Sequence, residues 1–390
     1  MSTQERHPNR LVILLLLTIA CALTFCQAPP KTKQNATGDD REIGCAAYVG
    51  EYEVRNYWPS DSMVNEDTYV AKAKFPAVDV HCHWRIDVDP HEMLQAMDDR
   101  NVKRAVNLSG GHGDDLDAMV KKYLGVDSER FVIFLNLPFN KIDEPGFADW
   151  AVKEIRRAHN MGVRGLKIFK SLGLYHRDSK KQLVKIDDER LNPIWTECGK
   201  LNMPVLIHTA DPVAFFKPID ANNERWMQLQ RHPSWGFYGK DNPPREELLA
   251  ARNRVIERHP NTTFIGAHVA NNAENLQQVA ADLDRYPNLV CDISGRVNEL
   301  GRQPYSSRDF LIKYQDRVMF ATDRYPGRKS QPRYRIYFRF LETRDEYFDY
   351  FKHKFPPAGE WKIYGVYLPD DVLKKVYHDN AERVLGFAKR

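Results

Sequence analysis

The chain has 390 residues, 42% hydrophobic and 28% charged, enough to bury a barrel-sized core and ordinary for a globular enzyme. Its formal net charge is only +4, with acids and bases interspersed, which excludes the basic footprint of a nucleic-acid binder. Six cysteines with no CxxC spacing exclude a cysteine-rich zinc site and a thioredoxin-like redox motif.

In chain order, Arg6 and Arg10 precede an apolar run over 11–25. A basic start and about 15 apolar residues fit a secretory signal better than a full membrane span. Cys26 follows Leu23-Thr24-Phe25, which is similar to a lipoprotein cleavage site apart from Phe25 at −1. Cys21 is a second candidate, and an uncleaved anchor a third. All three imply export, to the periplasm, the cell surface or a membrane anchor. The expected division is a signal over 1–26, a tether and N-terminal wrap over 27–75, and one domain over 76–390.

From Pro76 onward, strand-like apolar runs fall at 77–83, 104–109, 131–138, 163–169, 204–209, 262–269, 288–294 and 317–323. Helical patterns at 91–100, 147–161, 188–201, 245–259 and 273–286 lie between them. Eight strands alternating with helices over about 250 residues predict a (β/α)8 TIM barrel of α/β class. A doubly wound sheet would show a Gly-rich phosphate loop after its first strand; Gly110-Gly111-His112-Gly113 does not qualify. Two stretches, 211–244 and 324–368, are longer than ordinary connections and rich in aromatics. They follow strands 5 and 8, so they emerge at the face where barrel active sites sit. Each can shape the pocket mouth or simply pack as a satellite cluster.

The first strand holds Val78-Asp79-Val80-His81-Cys82-His83. Strict alternation puts Val78, Val80 and Cys82 on one face and both histidines on the other. His81 and His83 can then reach one metal ion, and Cys82 packs against the helices. Ionisable residues recur at later strand ends: Lys167 and Lys170 on strand 4, His208 and Asp211 on strand 5, His268 on strand 6, Asp323 on strand 8. A lone strand-end histidine is ordinarily a hydrogen-bonded core residue, and Asp after Thr is a common helix cap. Imidazoles and carboxylates converging on one rim suit zinc or another divalent ion.

These pieces, Val80-His-Cys-His83, His208, Gly266-Ala-His268, Ala321-Thr-Asp323 and the closing Asn380-Ala-Glu-Arg-Val-Leu-Gly386, resemble the amidohydrolase superfamily. The likeness spans about 75–387. It is narrowest toward the amidohydrolase-related branch, with aminocarboxymuconate-semialdehyde and resorcylate decarboxylases. The resemblance implies that His81, His83, His208 and Asp323 bind a divalent metal, and that His268 is a further ligand or the base and acid beside it. Lys167 has the form of the lysine that becomes carboxylated and bridges two ions in binuclear members; one ion is the expectation here. Arg296, Lys170 and Arg324 are candidates for contact with substrate, and the basic-aromatic run 328–339 reads as a surface segment.

The implied chemistry is hydrolysis of an amide, ester or lactone by a metal-activated water, with Asp323 and His268 moving protons. The alternative is metal-dependent decarboxylation of an aromatic or unsaturated acid. A binding protein that keeps the barrel without catalysis is disfavoured by the intact ligand set. The expected partner is a small-molecule substrate, with no nucleic acid, attachment to a membrane through the N-terminal segment, and a homodimer as in many barrels of this branch.

Overall fold

The computed structural model describes residues 61–239, 241–351 and 357–387. The signal segment, Cys21, Cys26 and the first part of the tether lie outside them. Val64–Arg390 forms one unit, and everything below concerns it. Among the described residues no helix is long and apolar enough to cross a membrane.

Eight parallel strands follow one another around a single sheet: β1 Ala77–Cys82, β2 Val102–Asn107, β3 Phe131–Leu135, β4 Gly165–Ile168, β5 Val205–Ile207, β6 Phe264–Gly266, β7 Leu289–Asp292 and β8 Val318–Met319. Val80 N–H donates to Phe320 C=O at 3.2 Å and Asp323 N–H to His81 C=O at 2.9 Å, so the last strand returns to the first. This is the (β/α)8 barrel. The covering helices are α1 Pro90–Asp98, α2 Gly113–Met119, α3 Phe147–Asn160, α4 Asn192–Lys200, α5 Arg245–Arg258, α6 Leu276–Arg285, α7 Pro304–Lys313 and α8 Gln331–Glu342. Local chemistry sets their limits and faces. Asp89 caps α1 by accepting from His91 N–H, with Pro90 in the first turn. α3 buries Phe147, Ala151, Ile155 and Ala158, one stripe at helical spacing.

Side chains from nearly every strand fill the barrel interior, including Val78, Val80, Val106, Val132, Phe134 and Leu206, with Ala381 and Leu385 of the C-terminal segment in the same cluster. A larger apolar layer lies between strands and helices. The helical turns Asp370–Lys374, Lys375–Asp379 and Asn380–Val384 close the chain, and Asn380 Nδ2 holds Val318 C=O at 2.8 Å.

Two expectations need correction. Alternation along β1 is not strict: the register slips between Asp79 and Cys82, where His81 N–H bonds Asp79 Oδ1 at 3.2 Å. Val78 and Val80 therefore join the barrel interior while Cys82 packs in the outer layer, on a different face. The run 328–339 is not a surface segment either. Most of it is α8, which buries Tyr334, Tyr337, Phe338 and Phe340 around Phe320. Its arginines leave by their stems and stack on neighbouring rings, Arg335 on Tyr69 at 3.6 Å and Arg339 on Phe348 at 4.0 Å.

Of the long connections, 211–244 forms a satellite core in which Phe215, Leu229 and Phe237 pack with Leu174, Ala210 and Leu248. Residues 61–75 carry no regular element. Thr68 is held by both Asp345 oxygens, at 2.8 and 2.7 Å.

Candidate active site

Each strand of a parallel barrel ends on the same face, so the residues just past β1, β6, β7 and β8 meet without any of them being close in sequence. His81 Nδ1 lies 3.0 Å from Asp292 Oδ2 and 2.9 Å from Ser294 Oγ. His83 Nδ1 lies 2.8 Å from Ser109 Oγ. With Nδ1 engaged in both rings, both Nε2 atoms are left as lone-pair donors, and each sits 3.6 Å from Asp323 Oδ1. Two ring nitrogens and one carboxylate oxygen therefore converge within 4.8 Å of one another.

Burial, then the nearby Lys167 charge, holds His81 well below the ordinary imidazole range and His83 at about 3. Both are neutral at physiological pH, the form that binds a metal. Burial pushes the Asp323 carboxyl up, against the Lys167, Arg333 and Arg296 charges. Neutral imidazoles with fixed tautomers beside one carboxylate fit a divalent ion that accepts N and O ligands.

A second cluster, His81, His268 and Asp292, is also compact. Ser294 already satisfies it: its Oγ lies 2.9 Å from both Nδ1 atoms and 2.5 Å from Asp292 Oδ1. It is a hydrogen-bond network behind the first cluster. His268 is held by Nδ1 at 2.8 Å from Ser294 C=O and by its own N–H on Asp292 Oδ1 at 3.0 Å. Its ring lies 4.8 Å from His81 and 4.5 Å from His208. Gly295 passes so close that a Cβ there would lie 3.4 Å from His268 Nδ1 and 3.5 Å from Asp323 Oδ2.

His208 belongs to neither cluster, although its ring lies against His268. Its Nε2 is 3.5 Å from Asp211 Oδ1, and Lys170 Nζ closes on Asp211 Oδ2 at 2.5 Å. Burial favours a neutral Asp211, but His208 and Lys170 outweigh it and hold the carboxyl well below its usual range. Lys170, a candidate for substrate contact, is thus engaged by Asp211. Lys167 is fully buried in register with Leu206, and its Nζ has no hydrogen-bond partner. Burial lowers its pKa to about 8, with Asp292 and Asp323 opposing. Arg296 is buried, bonded to Gly295 C=O at 2.9 Å, and its charge reaches His81, His268 and Asp323. Arg324 is exposed.

Three residues of the site carry no signal in the sequence strong enough to single them out. Asp292 and Ser294 lie just ahead of Arg296 at the end of β7, where the strand-end rule applies, yet their role is to hold His81 and His268. Phe169 reads as one more apolar strand residue. In the fold it is 37% exposed, 5.9 Å from the His83 ring, with Lys167 Nζ 5.4 Å from its centroid.

The closed parallel barrel, with a rim of candidate metal-ligating imidazoles and carboxylate, has the architecture of a TIM-barrel enzyme. Residues 78–387 match the Amidohydrolase family, and the chain belongs to it. No curated protein matches the sequence. Among solved structures, a dihydroxybenzoic acid decarboxylase from Polaromonas sp. JS666, with bound manganese and 2-nitroresorcinol, is 13% identical with a TM-score of 0.50, covering 82% of this chain and 98% of that one. A 2,6-dihydroxybenzoate decarboxylase from Rhizobium is 16% identical, TM-score 0.49, covering 80% and 98%. An amidohydrolase from Burkholderia multivorans with bound HEPES is 12% identical, TM-score 0.48, covering 80% and 99%. At these identities the likeness is one of fold.

Proposed function

We propose that this enzyme is a metal-dependent carbon–carbon lyase that releases carbon dioxide from a flat aromatic or unsaturated carboxylic acid. The observation that carries the reading is Phe169, a ring left open beside His83 with the unpartnered Lys167 ammonium near its face. A planar substrate can lie along that ring while its anionic group meets Lys167, and the Arg296 charge also reaches His268 and Asp323. A divalent ion held by His81, His83 and Asp323, with His208 nearby as the fourth ligand, would supply Lewis acidity. His268, neutral at its free Nε2, accepts the proton of an adjacent substrate hydroxyl. Asp323, between the His81 and His83 rings, delivers a proton to the ring carbon. The carbon–carboxylate bond breaks as that proton arrives, its electron pair ending in the new C–H bond, and carbon dioxide leaves.

The test is turnover of hydroxybenzoic and conjugated dienoic acids by protein reconstituted with zinc or manganese. Carbon dioxide release is expected, and Asp323→Asn should lower kcat by about 10²–10⁴-fold. A second reading is hydrolysis of an amide, ester or lactone, for which the match to the Amidohydrolase family speaks. Turnover of an ester or lactone panel, with no carbon dioxide from any acid, selects it.

A further inference from the structure

His268 is delivered by an unusual piece of backbone. His268, Val269, Ala270 and Asn271 all have positive φ, 58°, 57°, 51° and 56°, and none is glycine. They make one turn of left-handed helix, closed by Asn271 N–H on Ala267 C=O at 2.7 Å. Gly266 permits it, because a Cβ there would lie 2.9 Å from Ala270 Cα. L-residues do not hold such a turn by themselves, so something outside it must.

Two buried arginines of α5 reach its carbonyls. Arg252, with no exposed surface, donates from Nη1 to Ala270 C=O and from Nη2 to Asp282 at 2.9 Å. Arg245 donates from Nη2 to Asn271 C=O at 2.6 Å and to Asn272 Oδ1 at 3.0 Å, and from Nε to Asp211 C=O at 3.0 Å. The Asn271 side chain accepts from Thr209 N–H at 3.1 Å and donates to Ala210 C=O at 2.8 Å, directly after His208. The connections that follow β5 and β6 are thereby stapled to one another from behind the site.

We infer that Arg245 and Arg252 are positioning residues for the reaction: they hold the left-handed turn 268–271 and through it aim His268 Nε2, while fixing the backbone that carries His208. This rests on the reading of His268 as the acid–base group. Neither arginine touches substrate, and each acts only through the two connections it clamps.

Arg252→Lys keeps a cation for Asp282 but gives up the fork that also reaches Ala270 C=O. Arg245→Met keeps the stem without the donors. In each holoenzyme variant the amides of Asn271 and Asn272 should exchange about tenfold faster or more. Turnover of whichever acid or lactone the wild-type protein accepts should lose about 10²-fold in kcat, with KM within about threefold. Adding Ala270→Gly, which adopts positive φ without restraint, should restore at least a tenth of the lost kcat. Unchanged exchange in both variants overturns the inference, as does a fall in kcat that glycine does not rescue. If a variant does not fold, exchange in wild-type protein decides: protection of Asn271 and Asn272 no greater than that of the exposed turn at 85–87 overturns it. His268→Gln is measured alongside. If it keeps wild-type kcat, the acid–base reading fails, while amide exchange still reports whether the arginines hold the turn.

Discussion

The shared aim of His81 and His83 comes from groups that never face the substrate. Ser109 takes Nδ1 of one ring, and Asp292 with Ser294 takes Nδ1 of the other, which leaves both Nε2 atoms turned toward Asp323. Such outer partners ordinarily weigh almost as much as the ligands themselves. Asp292→Asn keeps the shape but weakens the acceptor for His81, His268 N–H and Ser294. It should lower metal affinity about 10–100-fold, read by competition with a chelator of known affinity. An affinity unchanged from wild type would place the ion away from His81. At this scale the sequence was legible for the candidate ligands and silent on their partners: His81, His83 and Asp323 stand out as candidates at strand ends, whereas Asp292 and Ser294 look like ordinary polar residues until the barrel closes.

Among the elements, the seam between β1 and β8 sets the site. Asp79 is fully buried there, accepting from Thr322 N–H at 3.1 Å, Thr322 Oγ1 at 2.6 Å and Tyr334 Oη of α8 at 2.6 Å. Burial nevertheless pushes its carboxyl up to about 6. The folded protein then binds a proton between about pH 4 and pH 6 that the unfolded chain has released, so stability falls as pH rises through that window. In metal-free protein the stability advantage of wild type over Asp79→Asn should shrink by roughly 2 kcal/mol between pH 4 and pH 7, measured by urea unfolding. A constant difference would mean that Asp79 titrates normally. At the end of β6, the left-handed turn at 268–271 costs about 1–2 kcal/mol for each non-glycine residue, a load the surrounding clamp must offset. Periodicity located all eight strands within a few residues, because each is a buried apolar run. It missed the short α2, and also α7 and α8, whose arginines and tyrosines disguise the apolar stripe. Tyr334 and Tyr337 are buried with their hydroxyls bonded to Asp79 and Ile293 C=O, which no hydropathy pattern encodes.

For the whole molecule, we propose one ion per chain, since Ser294 hydrogen-bonds within the second cluster. Metal analysis should return a ratio near one that Lys167→Ala leaves unchanged. A ratio near two that falls in Lys167→Ala would instead mark a carboxylated bridge. Free metal at a hundredfold excess over Kd should raise stability by about 3 kcal/mol, and chelation should remove that gain. We also propose that residues 1–26 direct export. Cell fractionation with mass spectrometry of the mature N-terminus checks this, and protein with an intact Met1 in the cytosol would count against it.

The sequence by itself determined the architecture and the inventory of the site. Apolar runs separated by amphipathic stretches can bury themselves in few ways, and a parallel barrel brings every strand end to one face. Only the tertiary structure decided which of those residues meet. A register slip in β1, invisible to alternation, sets the rings of His81 and His83 against Asp323. A long-range contact pairs Lys170 with Asp211, three residues past His208, and Lys167 is left without a hydrogen-bond partner. Other long-range contacts hold four L-residues in a left-handed turn that local preferences would refuse. Aim and tautomer depend on partners some 25 to 250 positions away in the chain, and no local pattern carries that information.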